Sequence, residues 1–115
     1  MEIKGRGVLI TGAAKRIGRA IALALAERGA DIVIHYHRSE DAARETAREI
    51  EARGVRALAL QADLANVREI ERLIERAADA LGRLDILVNN ASVFFRTPFG
   101  SITEEQWDLN LDVNL

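Results

Sequence analysis

Thr11-Gly12-Ala13-Ala14-Lys15-Arg16-Ile17-Gly18 follows the apolar run Val8-Leu9-Ile10 and opens a helical pattern. A turn of small residues there leaves the first backbone N–H groups of a helix unpaired, with the positive end of the helix dipole behind them. A pyrophosphate fits such a place. Gly12 permits the tight turn, and Gly18 lets the helix lie close to both strand and ligand. An ordinary strand-to-helix turn also tolerates small residues, but position in the first βα unit, together with Lys15 and Arg16, favours the phosphate. A glycine is the expected residue at position 16 of a TGxxxGxG loop, and this chain has arginine. Arg16 leaves the loop beside the ligand and is placed to contact phosphate or an anionic substrate; a solvated surface arginine is the competing reading.

The rest of the chain repeats the same alternation. From Arg16 to Arg28, Ile17, Ile21 and Leu25 recur every fourth residue with Ala20 and Ala24 beside them, which predicts the inner face of a helix closed by Gly29. Asp31–Tyr36 reads as a second strand. Ser39 is the predicted cap of a helix to about Arg53, with Ala43, Ala47 and Ile50 facing in and Gly54 closing it. Val55–Gln61 is a third strand. Asn66 and Glu69 form a variant capping box for a helix to about Leu81, closed by Gly82. Asp85–Asn89 is a fourth strand, and Thr103 with Gln106 form a further box before Trp107 in a last helix. The order β-α-β-α-β-α-β-α with near-continuous apolar strands specifies an α/β fold: a Rossmann-like, doubly wound parallel sheet covered on both faces. Residues 1–115 are its N-terminal, dinucleotide-binding portion.

Composition agrees with one soluble domain of this size. Of the 115 residues, 49% are hydrophobic and 30% charged, with a formal net charge of −2. Such a balance offers nucleic acid no electrostatic footprint. The cations Lys4, Arg6, Lys15, Arg16 and Arg19 gather near the loop, where a dinucleotide already accounts for them. The absence of cysteine excludes disulfides, thiolate metal sites and a cysteine nucleophile, and no metal site is expected. No apolar run reaches the ~18 residues of a membrane span, and the N-terminus has no apolar signal core. A cytoplasmic protein with no membrane partner is the expectation.

The end of the second strand selects the cofactor. NAD-binding Rossmann units place an acid there for the ribose 2′-OH, whereas NADP sites place a cation. The stretch reads His35-Tyr36-His37-Arg38-Ser39, with no acid before Glu40. Arg38 offers a phosphate a bidentate fork, Ser39 a hydroxyl at the start of the next helix, and His37 lies close by. His35, on the apolar run, reads as a plain strand residue. NADP(H) is the expected cofactor.

These residues resemble the short-chain dehydrogenase/reductase family. The loop TGAAKRIG, Ala62-Asp63-Leu64, Val88-Asn89-Asn90-Ala91 and Asp112-Val113-Asn114-Leu115 stand in that family's order and spacing along the whole chain. The resemblance implies that Asp63 and Leu64 line the adenine pocket, that Asn90 and Ala91 border the adenosine ribose, and that Asn89 ties neighbouring strands. It implies a catalytic role for Asn114, holding a proton-relay water. Within the family the chain is most similar to pteridine reductases, through TGAAKR, HYHRS, NNAS and the stretch Ser92–Pro98. That similarity places Ser92 beside the nicotinamide and the substrate, and Phe94 and Arg16 in the substrate site, where a flat heteroaromatic ring stacks on Phe94. A loop phenylalanine covering the core is the other reading of Phe94, and a 3-oxoacyl-thioester or general carbonyl reductase is the alternative function. The family resemblance also implies a homo-oligomer, a tetramer or dimer.

A short-chain reductase needs a tyrosine acid with a lysine four residues later. The only tyrosine is Tyr36, in the second strand, and position 40 is Glu. The catalytic serine, tyrosine and lysine are therefore expected outside residues 1–115, in a second half that this chain lacks, and the chain alone is expected to be inactive. A non-catalytic half-domain that only holds NADP(H) is the alternative of another class.

Overall fold

The computed structural model describes residues 2–91. Its elements are β1 (Gly7–Ile10), α1 (Arg16–Glu27), β2 (Asp31–Tyr36), α2 (Glu40–Glu51), β3 (Ala57–Gln61), α3 (Val67–Leu81) and β4 (Ile86–Val88). The expected helix around Trp107, and the site residues Ser92, Phe94 and Asn114, lie outside the described residues.

The strands form one parallel sheet in the order β3-β2-β1-β4. Strand pleating sends alternate residues to opposite faces. Val8, Ile10, Ile32 and Ile34 pack on one face under Ala22 and Ala26 of α1 and Ala43, Ala47 and Ile50 of α2. Leu9, Val33 and Leu60 meet Leu73, Ala77 and Leu81 of α3 on the other. Helices on both faces make this the doubly wound arrangement, and they explain why β1 and β2 read as unbroken apolar runs.

The inner face of α1 differs from the expected one. Gly18, Ala22 and Ala26 are its buried residues, while Ile21 and Leu25 are partly buried and Ile17 is 70% exposed. Ala20 and Ala24 are exposed. Close packing of the first turn explains the rotation. A Cβ built at Gly18 would stand 2.5 Å from the Gly12 carbonyl oxygen and 2.8 Å from the Ala13 Cα. Only the small-residue row fits against the loop and β1, which leaves the row of large residues at the margin.

Two caps also differ from their sequence reading. Ser39 precedes α2 without a side-chain capping bond, and the acids Glu40 and Asp41 in the first turn complement the dipole instead. Asn66 caps α3 as expected, its Oδ1 accepting from Arg68 N and Glu69 N. The return half of the box goes elsewhere: Glu69 Oε1 accepts from Asp63 N at 3.0 Å, tying α3 to the segment after β3. Gly29, Gly54 and Gly82 all take positive φ after their helices, as their places in the sequence require.

At the amino edge of the sheet, charges are paired. The Asp85 carboxylate accepts from Arg83 Nε at 2.6 Å, from Gly7 N at 2.9 Å and from Arg6 at 3.5 Å. The Arg83 guanidinium, foremost, and the Gly7 amide hold that carboxyl well below the usual carboxylate range. Arg56 bridges Asp31 on β2 and the last carbonyls of α3, reaching Leu81 O at 2.7 Å.

The packing at Gly18 makes a direct prediction. Gly18→Ala must push apart backbone atoms of the loop, so it is expected to destabilise folding by about 1–3 kcal/mol, as overpacking does. Urea unfolding of Gly18→Ala, set beside the exposed Ala20→Gly control, measures it.

Candidate cofactor site

The crossover from β1 runs to β2 on one side, whereas β4 lies on the other side of β1. The strand order thus reverses at β1, and in open α/β sheets ligands bind at the carboxyl edge beside such a reversal. Because all the strands are parallel, the segments after β1, β2, β3 and β4 emerge at this same edge. It collects Gly12, Arg16, Ile17 and Gly18, then His37, Arg38 and Ser39, then Asp63 and Leu64, and finally Asn90 and Ala91.

Thr11 holds the switch point together. Its Oγ1 accepts from Asn90 N and Ala91 N, each at 3.0 Å, and lies 3.3 Å from Asn89 Oδ1 and 3.4 Å from Val88 O, the candidate acceptors for its own proton. Asn90 Nδ2 donates to Gly12 O at 3.2 Å. Gly12 has φ of +62°, and a Cβ there would approach the Ala91 Cα to 3.1 Å. Asn90 and Ala91 thus fasten the segment after β4 to the loop, with Asn89 Oδ1 a candidate acceptor beside them.

Beyond Ala13 the loop leaves amides unused at the start of α1. No hydrogen bond among the described residues uses the N–H of Arg16, Ile17 or Gly18. Arg16 has φ of +55°, the one positive value at a non-glycine residue among the described residues. The conformation that a glycine would supply is kept, at a cost of roughly 1–2 kcal/mol for a side chain in the left-handed region. A cleft between the loop and α2 is lined by Lys15, Arg16, Arg19, Ala42, Glu45 and Thr46, with Ala14 behind them. Thr46 Oγ1 donates to Ala14 O at 3.0 Å, and Arg19 pairs with Glu49. Lys15, Arg16 and Arg38 are exposed and form no ion pair among the described residues. Lys15 and Arg16 bring two unpaired cations to this cleft, which the Glu45 carboxylate also lines, and the unused amides of Arg16, Ile17 and Gly18 follow directly in the chain.

Asp63 is held in a tight local turn, Oδ1 accepting from Ala65 N at 2.9 Å. Leu64 turns toward α3 and lines an apolar pocket with Leu9, Leu73, Ile74 and Leu87.

His35 is more than the strand residue its sequence context suggests. It is 2% exposed, and Gly12 N donates to its Nδ1 at 3.0 Å. Nδ1 can accept only if the proton sits on Nε2, so Nε2–H donates to Ala62 O at 2.8 Å. Burial holds its pKa below the ordinary 6.5, opposed by the Ala62 bond and assisted by His37. An apolar run gives no sign of such a role, because the partners are backbone atoms of the segments that follow β1 and β3.

The match to known proteins follows this geometry. Residues 6–115 fit the family model described as short chain dehydrogenase. The chain belongs to the short-chain dehydrogenase family. It is 41% identical to the hydroxynaphthalene reductase-like protein Arp2 of Metarhizium anisopliae (strain ARSEF 549), over 98% of this chain and 42% of that protein. A short chain dehydrogenase from Burkholderia cenocepacia J2315, solved in complex with NADP, superposes with a TM-score of 0.86 at 41% identity, over 100% of this chain and 47% of the other. FolM alternative dihydrofolate reductase 1 from Brucella canis, also complexed with NADP, gives 0.86 at 36% identity, over 100% of this chain and 46% of the other. The chain thus spans less than half the length of these relatives. The structural likeness covers the doubly wound sheet and its carboxyl-edge loop, as the sequence pattern implied.

Two outcomes follow for this short-chain dehydrogenase chain. Arg16→Gly relieves the left-handed strain and gives back part of that gain as unfolded-state entropy, so a stabilisation of about 0.5–1 kcal/mol is expected in urea unfolding. His35 has a folded pKa below its unfolded 6.5, so the unfolded chain binds the proton first. Its stabilising contribution is complete above pH 6.5 and is lost as pH falls below that value. Thermal melts between pH 8 and 5 are expected to show this decline, and it is expected to vanish in His35→Asn.

Proposed function

We propose that the protein carrying this chain is an NADPH-dependent reductase of small molecules, and that residues 1–115 supply its cofactor site. The observation that carries this reading is the unpaired cation set Lys15, Arg16 and Arg38 around free loop amides, with no acid between the end of β2 and Glu40. The residues fit a dinucleotide: amides unused at the start of α1 stand beside Lys15 and Arg16, which pair with no acid among the described residues. The amides of Arg16, Ile17 and Gly18 bind the pyrophosphate at the positive end of α1. Arg38, Ser39 and His37 hold the 2′-phosphate; the Ser39 hydroxyl makes no capping bond, which leaves it free to donate there. Asp63 and Leu64 line the adenine side, and Asn90 and Ala91 border the ribose. When bound, the nicotinamide supplies a hydride to a C=O or C=N bond. The proton comes from a tyrosine outside residues 1–115, with Asn114 as the chain's own contribution to its relay.

For the substrate we favour a pterin or dihydrofolate-like ring, held by Arg16, Ser92 and Phe94. Support comes from the TGAAKR, HYHRS and NNAS stretches and from the 36% identity to the alternative dihydrofolate reductase of Brucella canis. The working form is a dimer or tetramer in the cytoplasm. No helix among the described residues is long and apolar enough to cross a membrane.

Calorimetric titration of the full-length protein tests the cofactor. NADPH is expected to bind at least ~10-fold tighter than NADH, and Arg38→Ala to remove most of the difference, since a charge-assisted bond contributes about 1.5–3 kcal/mol. Tighter binding of NADH would overturn the reading. NADPH oxidation with dihydrofolate or dihydrobiopterin, set against an acetoacetyl thioester, tests the substrate. Turnover of the thioester alone would move the assignment to carbonyl reduction.

A further inference from the structure

We infer that His35 is a positioning residue for the phosphate loop, setting the orientation of its first peptide planes through the bond from Gly12 N–H to Nδ1. The inference rests on the cofactor reading above and concerns how the loop is made ready for it.

A single residue governs successive peptide groups here. The amide of Gly12, in the Thr11–Gly12 unit, donates to the His35 imidazole at 3.0 Å. The next amide, of Ala13, donates to the His35 main-chain carbonyl at 3.1 Å. With both amides turned inward toward β2, the carbonyl of Gly12 points to Asn90 Nδ2, 3.2 Å away. The chain then enters α1 through Arg16, at the φ of +55° found there. The ligand-facing amides of Arg16, Ile17 and Gly18 are thus placed by a turn whose beginning His35 holds.

The same imidazole reaches β3. Nε2–H donates to Ala62 O at 2.8 Å, one residue before Asp63, and Ala62 N donates to Tyr36 O at 3.1 Å. The loop after β1 and the segment after β3 are therefore joined through one buried side chain, which spans the pyrophosphate and adenine sides of the site. The ring is 2% exposed, so neither bond has water as a ready substitute. Hydrophobic packing could fill the volume but could not accept from Gly12.

A pair of near-isosteric replacements separates this role from simple core filling. In His35→Asn the side-chain Oδ1 occupies the place of Nδ1 and can accept from Gly12 N–H, while the Ala62 bond is lost. In His35→Gln the amide reaches the place of Nε2 and can donate to Ala62 O, while Gly12 N–H is left without its acceptor. NADPH binding to the full-length wild-type protein and both variants is measured by calorimetry at pH 8, well below each melting temperature. The expected result is an Asn variant within about 3-fold of wild type and a Gln variant weaker by about 10-fold, the size of one lost hydrogen bond of ~1.4 kcal/mol. Equal affinities in the two variants, or a weaker Asn variant, would overturn the inference whatever their stabilities. Should either variant fail to fold, wild-type NMR decides: a scalar coupling across Gly12 N–H···Nδ1, with Nδ1 unprotonated, is required in both free and NADPH-bound protein. Its absence from either would overturn the inference. Failure of the wild type to bind NADPH at all would instead overturn the cofactor reading, so the two can fail separately.

Discussion

The close approach of α1 to the end of β1 governs the rest of this structure. At Gly18 an added Cβ would meet backbone atoms of Gly12 and Ala13 within 3 Å, so the first turn of the helix rests directly on the loop. That contact rotates α1 until Gly18, Ala22 and Ala26 face the sheet, and it leaves Ile17 70% exposed at the carboxyl edge. The same contact brings the free amides at the start of α1 over the crevice between β1 and β4. Packing and the anion site are therefore one geometric decision. A larger residue at position 18 would disturb both.

Charge is distributed unequally between the two ends of the sheet. At the amino edge Asp85 is shared by Arg83, Arg6 and Gly7 N, and Asp31 is met by Arg56. At the carboxyl edge Lys15, Arg16 and Arg38 make no ion pair among the described residues, although Arg19 beside them pairs with Glu49, and the turn after β1 is held by neutral bonds made by Thr11, Asn90, His35 and Thr46. Exposed ion pairs contribute little to folding, about 0–1 kcal/mol, so pairing these cations within the protein would gain little stability. Left unpaired, they would give the phosphorylated ligand proposed above charge-assisted partners. Arg16 shows the same balance within one residue, since its backbone takes a conformation better suited to glycine while its side chain adds a cation to the cleft.

Neutral hydrogen bonds are suited to shaping the loop because they act over fixed, short distances and do not compete with the ligand for its cations. Thr11 joins β1 to the end of β4, Thr46 joins α2 to Ala14, and His35 joins the loop to β3. Each is buried or nearly so, which makes an unmade bond costly and keeps the turn in one arrangement. In His35 the requirement extends to protonation, since an imidazolium could not accept from Gly12.

Much of this was legible in the residues alone. The apolar runs at Val8–Ile10 and Asp31–Tyr36, the glycines after each helix and the amphipathic segments between them specified a doubly wound parallel sheet, because local backbone preference and burial period act over a few residues. The role proposed for Gly12, Arg38 and Ser39 rests on the same local features: what they would offer a phosphate is a property of the residue and its place after a strand. Tertiary structure alone decided the face of α1, where close backbone approach overrode the spacing of Ile17, Ile21 and Leu25. It also sent Glu69 to the Asp63 amide, where the capping pattern had pointed to the cap residue itself. And it made His35 a bridge between Gly12 and Ala62, because those partners are backbone atoms of segments far apart in the chain, and only packing brings them within reach.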